Sequence, residues 1–499
     1  MSARPLPVST PAEQGVDARG IQAFLDAVEA APDIEPHSLM IVRHGRLVAS
    51  GWWAPYTAER PHLLYSLSKS FTSTAAGLAV AEGLLDLDAP VISYFPEFEA
   101  DITDPRSRAM LVRHVASMAS GHLTETNVEA FGLDRAEPVR GFLLIPPDRD
   151  PGTVFAYNQP ATYTLAAIVQ RLSGQSLTEY LRPRILDPLG IGEVAWIQHP
   201  RGRDLGFSGL HAPTDAIARL GLLYLQDGVW EGRRLLPSSW VAEATRPHIS
   251  TADGTAESAA SDWQHGYGFQ FWMSRQGYRG DGAYGQFCVV LPEHDAVIAT
   301  TAATEQMQKL LDEIWRHLLP AFRPGPPADL PAFRPGPPAD HADEDKALRH
   351  RLDRLALPPV AAHPAPAAGS GPWPGARLTP RGGRCTDQPT LTAVEVAEKD
   401  GAWTVTLVEG EDRLALGLPG SRWAVDEGPT PRAVSGGWTD PDTLRVDVLF
   451  LETPHRLTVI CTPADGTFTA RWHTMPLHPG PLRRHRAPFT SRADPAPRG

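Results

Sequence analysis

The sequence predicts an α+β protein joined to an all-β unit, on three observations. Apolar alternation of period two appears early, around residues 38–53, and again late, around residues 267–302, while the stretch between has helical spacing. Residues 319–329 read LPAFRPGPPAD and residues 330–340 repeat them letter for letter, a proline density that propagates neither helix nor sheet. From Thr390 onward alternation returns, broken by the turn pairs Asp400-Gly401 and Asp465-Gly466. Strands at both ends of a segment, with helices between, suit an antiparallel sheet that both ends enter, flanked by helices and carrying an inserted helical subdomain. The expected units are residues 1–319, a Pro-rich linker with a short helix at 320–380, a β barrel or sandwich at 381–490, and a tail at 491–499.

Residues 17–31 have helical spacing through Ile21, Phe24, Leu25 and Val28 and stop before Pro32. Residues 38–53 read as a hairpin turning at His44-Gly45. A long uncharged helix follows the segment Tyr65 to Ser70, and residues 86–96 form a turn-rich connection. Residues 112–118 are a short helix stopped at Ser120-Gly121. Pro151-Gly152 turns the chain into an extended run ending at Gln159. Residues 161–172 are an amphipathic helix closed by Gly174, and helices are expected at 178–185, 213–225 and 238–245. Strands are expected at 267–273, 286–291 and 296–302, then a helix at 305–319. A charged helix at 341–355 and a second Pro/Ala-rich spacer to about Pro380 lead to six or seven antiparallel strands.

Composition excludes several classes. The net charge is −12, with 46 basic and 58 acidic residues spread along the chain. No basic stripe points to nucleic acid, and the Arg483-Arg484-His485-Arg486 run is short. Cys288, Cys385 and Cys461 are far apart and lack CxxC spacing, so neither a disulfide framework nor a zinc site is expected, and no cofactor or metal is implied. Residues 1–15 hold no apolar core of a signal peptide, and no apolar run reaches membrane-spanning length. The expectation is a cytoplasmic protein without a membrane partner.

Chemistry concentrates at Ser66-Leu67-Ser68-Lys69. Lysine is scarce here, yet this one heads a run with no charge until Glu82. Such a run reads as a helix buried on most sides, where positions i and i+3 share a face, so Ser66 and Lys69 should lie side by side. A buried amine loses hydration and its pKa falls toward a range useful for deprotonating a hydroxyl. Ser66 also sits near a helix N-terminus, which favours developing negative charge. By itself S-x-x-K is more often an exposed lysine near a serine; the uncharged helix behind it shifts the balance.

Three pieces in order, Ser66-x-x-Lys69, Tyr157 after Pro151-Gly152-Thr153-Val154-Phe155, and Gly280-Asp281-Gly282 before a late strand, resemble the serine β-lactamase and penicillin-binding-protein superfamily, and within it the class C-like esterases and peptidases. The resemblance covers about residues 10–320, and Val112-Arg113-His114, Leu186-Asp187-Pro188-Leu189-Gly190 and Ser208-Gly209-Leu210 share it. It implies a β-lactamase-like fold with Ser66 as acylated nucleophile and Lys69 helping to deprotonate it. Tyr157 would be general base or proton shuttle, held phenolate-like by the ammonium. The Ser66 and Ala283 N–H groups would form an oxyanion hole beside Gly282.

Two departures shape the expected substrate. The family's Tyr-x-Asn reads Tyr157-Asn158-Gln159, so Gln159 takes the place of the amide that orients substrate, with Asn158 as the less favoured register. The late cationic box is Gly280-Asp281-Gly282, with Arg279 before it, so the cation that meets a substrate carboxylate is absent or displaced. This favours small-molecule esters, amides or peptides lacking that carboxylate. Gly280 to Gly285 also fits G-x-G-x-x-G, but a strand rather than a helix follows, against a dinucleotide site. No G-x-S-x-G or HExxH occurs, and His114 and His211 read as structural. Trp272 and Tyr284 are candidates for an acyl pocket. The readings are a serine hydrolase, an acyltransferase or cyclase using the same acyl-enzyme, and a non-catalytic binding member. The β unit is a candidate cover for the active-site mouth or a dimerisation surface, which leaves a homo-oligomer open.

Overall fold

The structure is a computed structural model and describes residues 5–255, 260–322, 339–363 and 373–489. Strands β1 (Glu35–Arg43) and β2 (Arg46–Trp52) form the early hairpin. The late strands are β8 (Trp272–Met273), β9 (Tyr278–Gly282), β10 (Gln286–Leu291) and β11 (Ala296–Ala303). They build one antiparallel sheet in the order β2-β1-β11-β10-β9-β8. The two ends of the segment meet where β1 pairs with β11, Leu39 opposite Thr300 and Ile41 opposite Ile298. Smaller pairings lie between them: β3 (His62–Leu63), β4 (Ala195–Trp196) and β5 (Leu210–Ala212) in the order β3-β5-β4, and β6 (Val229–Trp230) with β7 (Arg233–Arg234).

The sheet is covered on both faces, and the period-two pattern decides which residue serves which. Met40, Val42, Cys288, Val290, Val297 and Ala299 face the inserted helices. Leu39, Ile41, Phe287, Val289, Ala296 and Ile298 face the terminal helices. The inserted helices include Ser68–Ala81, Gln159–Ser173 and Thr214–Leu225. The opposite layer holds Ala18–Ala30, capped by Asp17 accepting from the Arg19 N–H, and Met307–Glu313. Helix Ala339–Leu352 joins that layer through Leu348 and Leu352.

Residues 373–489 form a second sheet of nine strands: β12 (Ala376–Pro380), β13 (Ala393–Lys399), β14 (Ala402–Glu409), β15 (Asp412–Gly417), β16 (Gly420–Asp426), β17 (Arg432–Asp440), β18 (Thr443–Phe450), β19 (His455–Thr462) and β20 (Thr467–Trp472). Their order is β15-β14-β13-β12-β20-β19-β18-β17-β16, so the two edges are consecutive in sequence and the sheet is a nearly closed barrel. Its interior is filled by Val394, Val405, Leu407, Val446, Leu457, Phe468 and their neighbours. Six or seven antiparallel strands were expected; nine occur, and β12 pairs with β20 in parallel. β12 lies in the stretch read as spacer, β16 is mostly solvent-facing without alternation, and Gly436-Gly437 interrupts β17.

The strand expected at 267–273 shrinks to Trp272–Met273. Gln270 has φ 65°, and the backbone bends because it serves the helix opposite: Ser73 Oγ donates to Phe269 O at 2.7 Å and Ser70 Oγ to Gln270 O at 3.1 Å. The helix after 305 runs to Glu313 and continues as a π-helical turn, Ile314–Leu318. Most of the duplicated LPAFRPGPPAD, and residues 364–372 of the second spacer, lie outside the described residues. No helix among the described residues is long and apolar enough to cross a membrane.

Candidate active site

The helix Ser68–Ala81 is buried at every position from Ser68 to Ala79, because it is built of small and apolar residues that neighbours can approach on all sides. Its hydroxyls fasten the loops around it. Thr72 Oγ donates to Gly206 O at 2.8 Å, and Ser68 Oγ accepts the Leu210 N–H at 3.0 Å. These bonds set the Gly206-Phe207-Ser208 loop against the start of the helix.

Ser66 lies in a 3-10 turn, Tyr65–Leu67, that leads directly into this helix. Tyr65 has φ 48°, a left-handed conformation that costs a non-glycine residue about 1–2 kcal/mol. The turn therefore needs outside support. The Tyr65 O–H donates to His455 Nε2 at 2.5 Å, a direction fixed because His455 Nδ1 donates to Thr474 O at 2.9 Å. The Leu477 N–H donates back to the Tyr65 oxygen at 3.3 Å. His455 and Leu477 both belong to the barrel unit.

Lys69 is 1% exposed. Its Nζ lies 3.1 Å from Ser66 Oγ, 2.5 Å from Gln159 Oε1 and 2.8 Å from Phe207 O, so as an ammonium it has three acceptors. It also sits 4.7 Å from the centre of the Tyr157 ring. Burial pulls the amine down to about 7, opposed by the more distant carboxylates of Glu125 and Asp281. Burial pushes the Tyr157 phenol well above its ordinary value, against interactions with the Ser66 and Trp272 side chains. Both directions run against a phenolate-like Tyr157 and favour Lys69 as the group that loses a proton near neutrality.

Tyr157 is carried in by the extended run after Pro151-Gly152, where Gly152 has φ 90°, and Gln159 opens the helix Gln159–Ser173. Asn158 between them is fully buried and turned away, its Oδ1 accepting from the Thr126 N–H and Oγ, both at 3.0 Å. That removes the register with Asn158 as the orienting amide. Gln159 is the residue at the amine, and its carbonyl is engaged by Lys69.

β9 packs against the Tyr65–Leu67 turn. A Cβ on Gly282 would lie 2.1 Å from Leu64 O, and one on Gly280 would lie 2.3 Å from Leu67 Cδ1. Both glycines thus serve close approach, within a β9–β10 hairpin that turns through Tyr284 (φ 71°) and Gly285 (φ 95°). Gly282 packs against the Leu64 carbonyl, two residues ahead of Ser66, and Ala283 packs with Leu63, Tyr65 and Tyr284. Arg279 is fully buried, bound to Asp281 Oδ2 at 2.9 Å and to Ser274 Oγ at 2.6 Å, so this cation does not reach the mouth. Trp272 stacks on Tyr157 at 5.4 Å. Tyr284 instead packs edge-on to Tyr65 and donates to Met475 O. His211, brought down to about 4 by burial, bonds Gly209 O, and His114 caps Leu111; both are structural.

The barrel unit touches the turn that carries Ser66 and the loop beside it. Besides His455 and Leu477, His478 stacks on Tyr65 at 5.9 Å and lies 3.0 Å from Ser208 Oγ. Leu477 stands 412 positions along the chain from the Tyr65 hydroxyl it meets. Sequence reasoning missed Tyr65, Glu125, Phe207, His455 and His478; only Ser208-Gly209-Leu210 pointed to any part of this rim.

A hydroxyl beside a buried amine and phenol, in the turn that leads into a buried helix next to an antiparallel sheet, defines the serine hydrolases of the β-lactamase fold. The beta-lactamase family profile matches residues 22–321, and the chain belongs to that family. A 6-aminohexanoate-dimer hydrolase of Paenarthrobacter ureafaciens is 27% identical over 299 residues, 55% of this chain and 76% of the relative. Esterase EstB of Burkholderia gladioli is 27% identical over 215 residues, 38% of this chain and 54% of that protein. A crystal structure described as a putative beta-lactamase from Bacteroides dorei DSM 17855 superposes with a TM-score of 0.52 at 17% identity, covering 61% of this chain and 99% of its own; it shows the fold alone. At this level the protein is a serine hydrolase.

Proposed function

We propose that Ser66 is acylated by an ester or amide and that water releases the acyl group. The observation that carries this is Lys69 Nζ at 3.1 Å from Ser66 Oγ in a site that holds the amine near pH 7. As a free amine, Lys69 takes the Ser66 proton during attack. Tyr157, protonated and beside Ser66, donates to the leaving group and is recharged from Lys69. Gly282 and Ala283 flank the developing oxyanion, and Trp272 backs the phenol. Since Arg279 is spent on Asp281, the substrate is a neutral or amine-bearing ester or amide rather than one anchored by a carboxylate. An amide substrate is in keeping with the dimer hydrolase relative. The catalytic unit is assigned to residues 1–319 and the cover to the barrel, with Ala376 as its first strand residue. A cytoplasmic site of action is part of this reading, supported by three buried free thiols.

The test is hydrolysis of a p-nitrophenyl ester by the full chain. Ser66→Ala should abolish it, and intact mass after brief exposure should show one acyl adduct on the parent and none on the variant. Retained hydrolysis in Ser66→Ala refutes the assignment. Added amines that compete with water would mark acyl transfer as the physiological outcome.

A further inference from the structure

Glu125 belongs to no motif. It is exposed, ahead of the helix Asn127–Leu133, yet both its oxygens turn to one residue. Oε1 accepts the Gln159 backbone N–H at 2.9 Å, and Oε2 lies 3.5 Å from Gln159 Nε2. The carboxylate thereby settles which way round the Gln159 amide stands. With its Nε2 held toward Glu125, its Oε1 must face Lys69, where it accepts at 2.5 Å. The flipped amide would set a donor against the ammonium and an acceptor against the carboxylate.

We infer that Glu125 is a positioning residue for the Lys69 amine, acting through the Gln159 side chain and through its own negative charge. The inference rests on the proposed role of Ser66 and Lys69. Four ionisable groups face Lys69 from the elements around it: Tyr157 from the extended loop, Asp281 from β9, His478 from the barrel segment, and Glu125. Asp281 is matched by Arg279. Burial, with a smaller push from Lys69, keeps His478 below its ordinary value and therefore neutral. Tyr157 stays protonated. Among the described residues that face Lys69, Glu125 is left as the uncompensated charge, and of the two carboxylates that draw the amine back up it has the larger effect.

The experiment measures kcat/KM against pH for a neutral p-nitrophenyl ester with the full chain, its Glu125→Gln and Glu125→Asp variants, and a thermal melt of each. In Glu125→Gln the new amide still accepts the backbone N–H, but the charge is gone and an NH2 group opposes Gln159 Nε2. The acid limb should move to lower pH by about half a unit, kcat at the plateau should fall about tenfold through misplacement of the amine, and KM should stay within about twofold. Glu125→Asp should keep the limb of the parent. A Glu125→Gln limb superimposable on the parent's, whatever happens to kcat or Tm, overturns the inference. Failure of the underlying reading would show separately, as hydrolysis that survives Ser66→Ala.

Discussion

Replacing Lys69 by methionine should remove activity and make the protein more stable, with a gain that depends on pH. An amine displaced from 10.5 to about 7 carries, at about 1.4 kcal/mol per pH unit, about 5 kcal/mol of unfavourable free energy when protonated in the fold. The sign follows from proton counts. Below pH 7 lysine is charged in both states and the folded state bears the full burden. Between pH 7 and about 10.5 the unfolded chain holds a proton that the native one lacks, so stability rises with pH. Above that interval the burden is gone. Methionine matches the length and apolar stem of lysine but forfeits three hydrogen bonds, each about 1 kcal/mol. The net at pH 6 is about 2 kcal/mol in favour of Lys69→Met, a Tm higher by a few degrees. Near pH 9.5 most of the burden has been relieved, the lost bonds outweigh what is left of it, and the order should close or reverse. Calorimetry of both proteins at the two pH values makes the comparison, and titration of groups that do not interact with Lys69 cancels in the difference. A Tm gap that is the same at pH 6 and pH 9.5 would refute the argument, as it means that Lys69 does not titrate in the native state near neutrality.

The same amine sets the rate profile: kcat/KM for a neutral ester should rise through about pH 7 and level off above it, and a profile flat from pH 5 to 9 would contradict a basic role for Lys69. Tyr157→Phe should lower kcat about 100-fold or more while leaving the melt within a degree or two, since the ring and its stacking on Trp272 remain. Gly282→Ala should fail in both activity and stability, because its Cβ meets the Leu64 carbonyl carbon-to-oxygen at 2.1 Å just ahead of the Ser66 turn; near-parental activity would show that β9 has room to move. His455→Phe keeps an aromatic ring in the barrel but leaves the buried Tyr65 hydroxyl without its acceptor, at about 1–3 kcal/mol, and esterase kcat should fall with it.

What could be read from sequence was what local pattern encodes. The spacing of Ser66 and Lys69 on an uncharged run, the alternation of β1, β10 and β11, and the turn before Tyr157 each depend on neighbours a few positions away. The protonation order did not follow, since opposite shifts of Lys69 and Tyr157 come from how completely each is enclosed. Asn158 against Gln159 was an ambiguity of one position, decided by Thr126 from another loop. The barrel's contact with the Ser66 turn left no local trace, because Met475 to His478 sits in a stretch without secondary structure whose role comes from Tyr65, Ser208 and Tyr284. β16 and β17 were missed for want of alternation, and β12 because it follows proline- and alanine-rich sequence.

Tyr65 ties two parts of the molecule to one event. Its left-handed backbone angle aims the next residue, and what holds that angle is a histidine from the other sheet. On warming, hydrolysis should therefore cease at the temperature where the barrel loses its grip, while the six-stranded sheet is still intact.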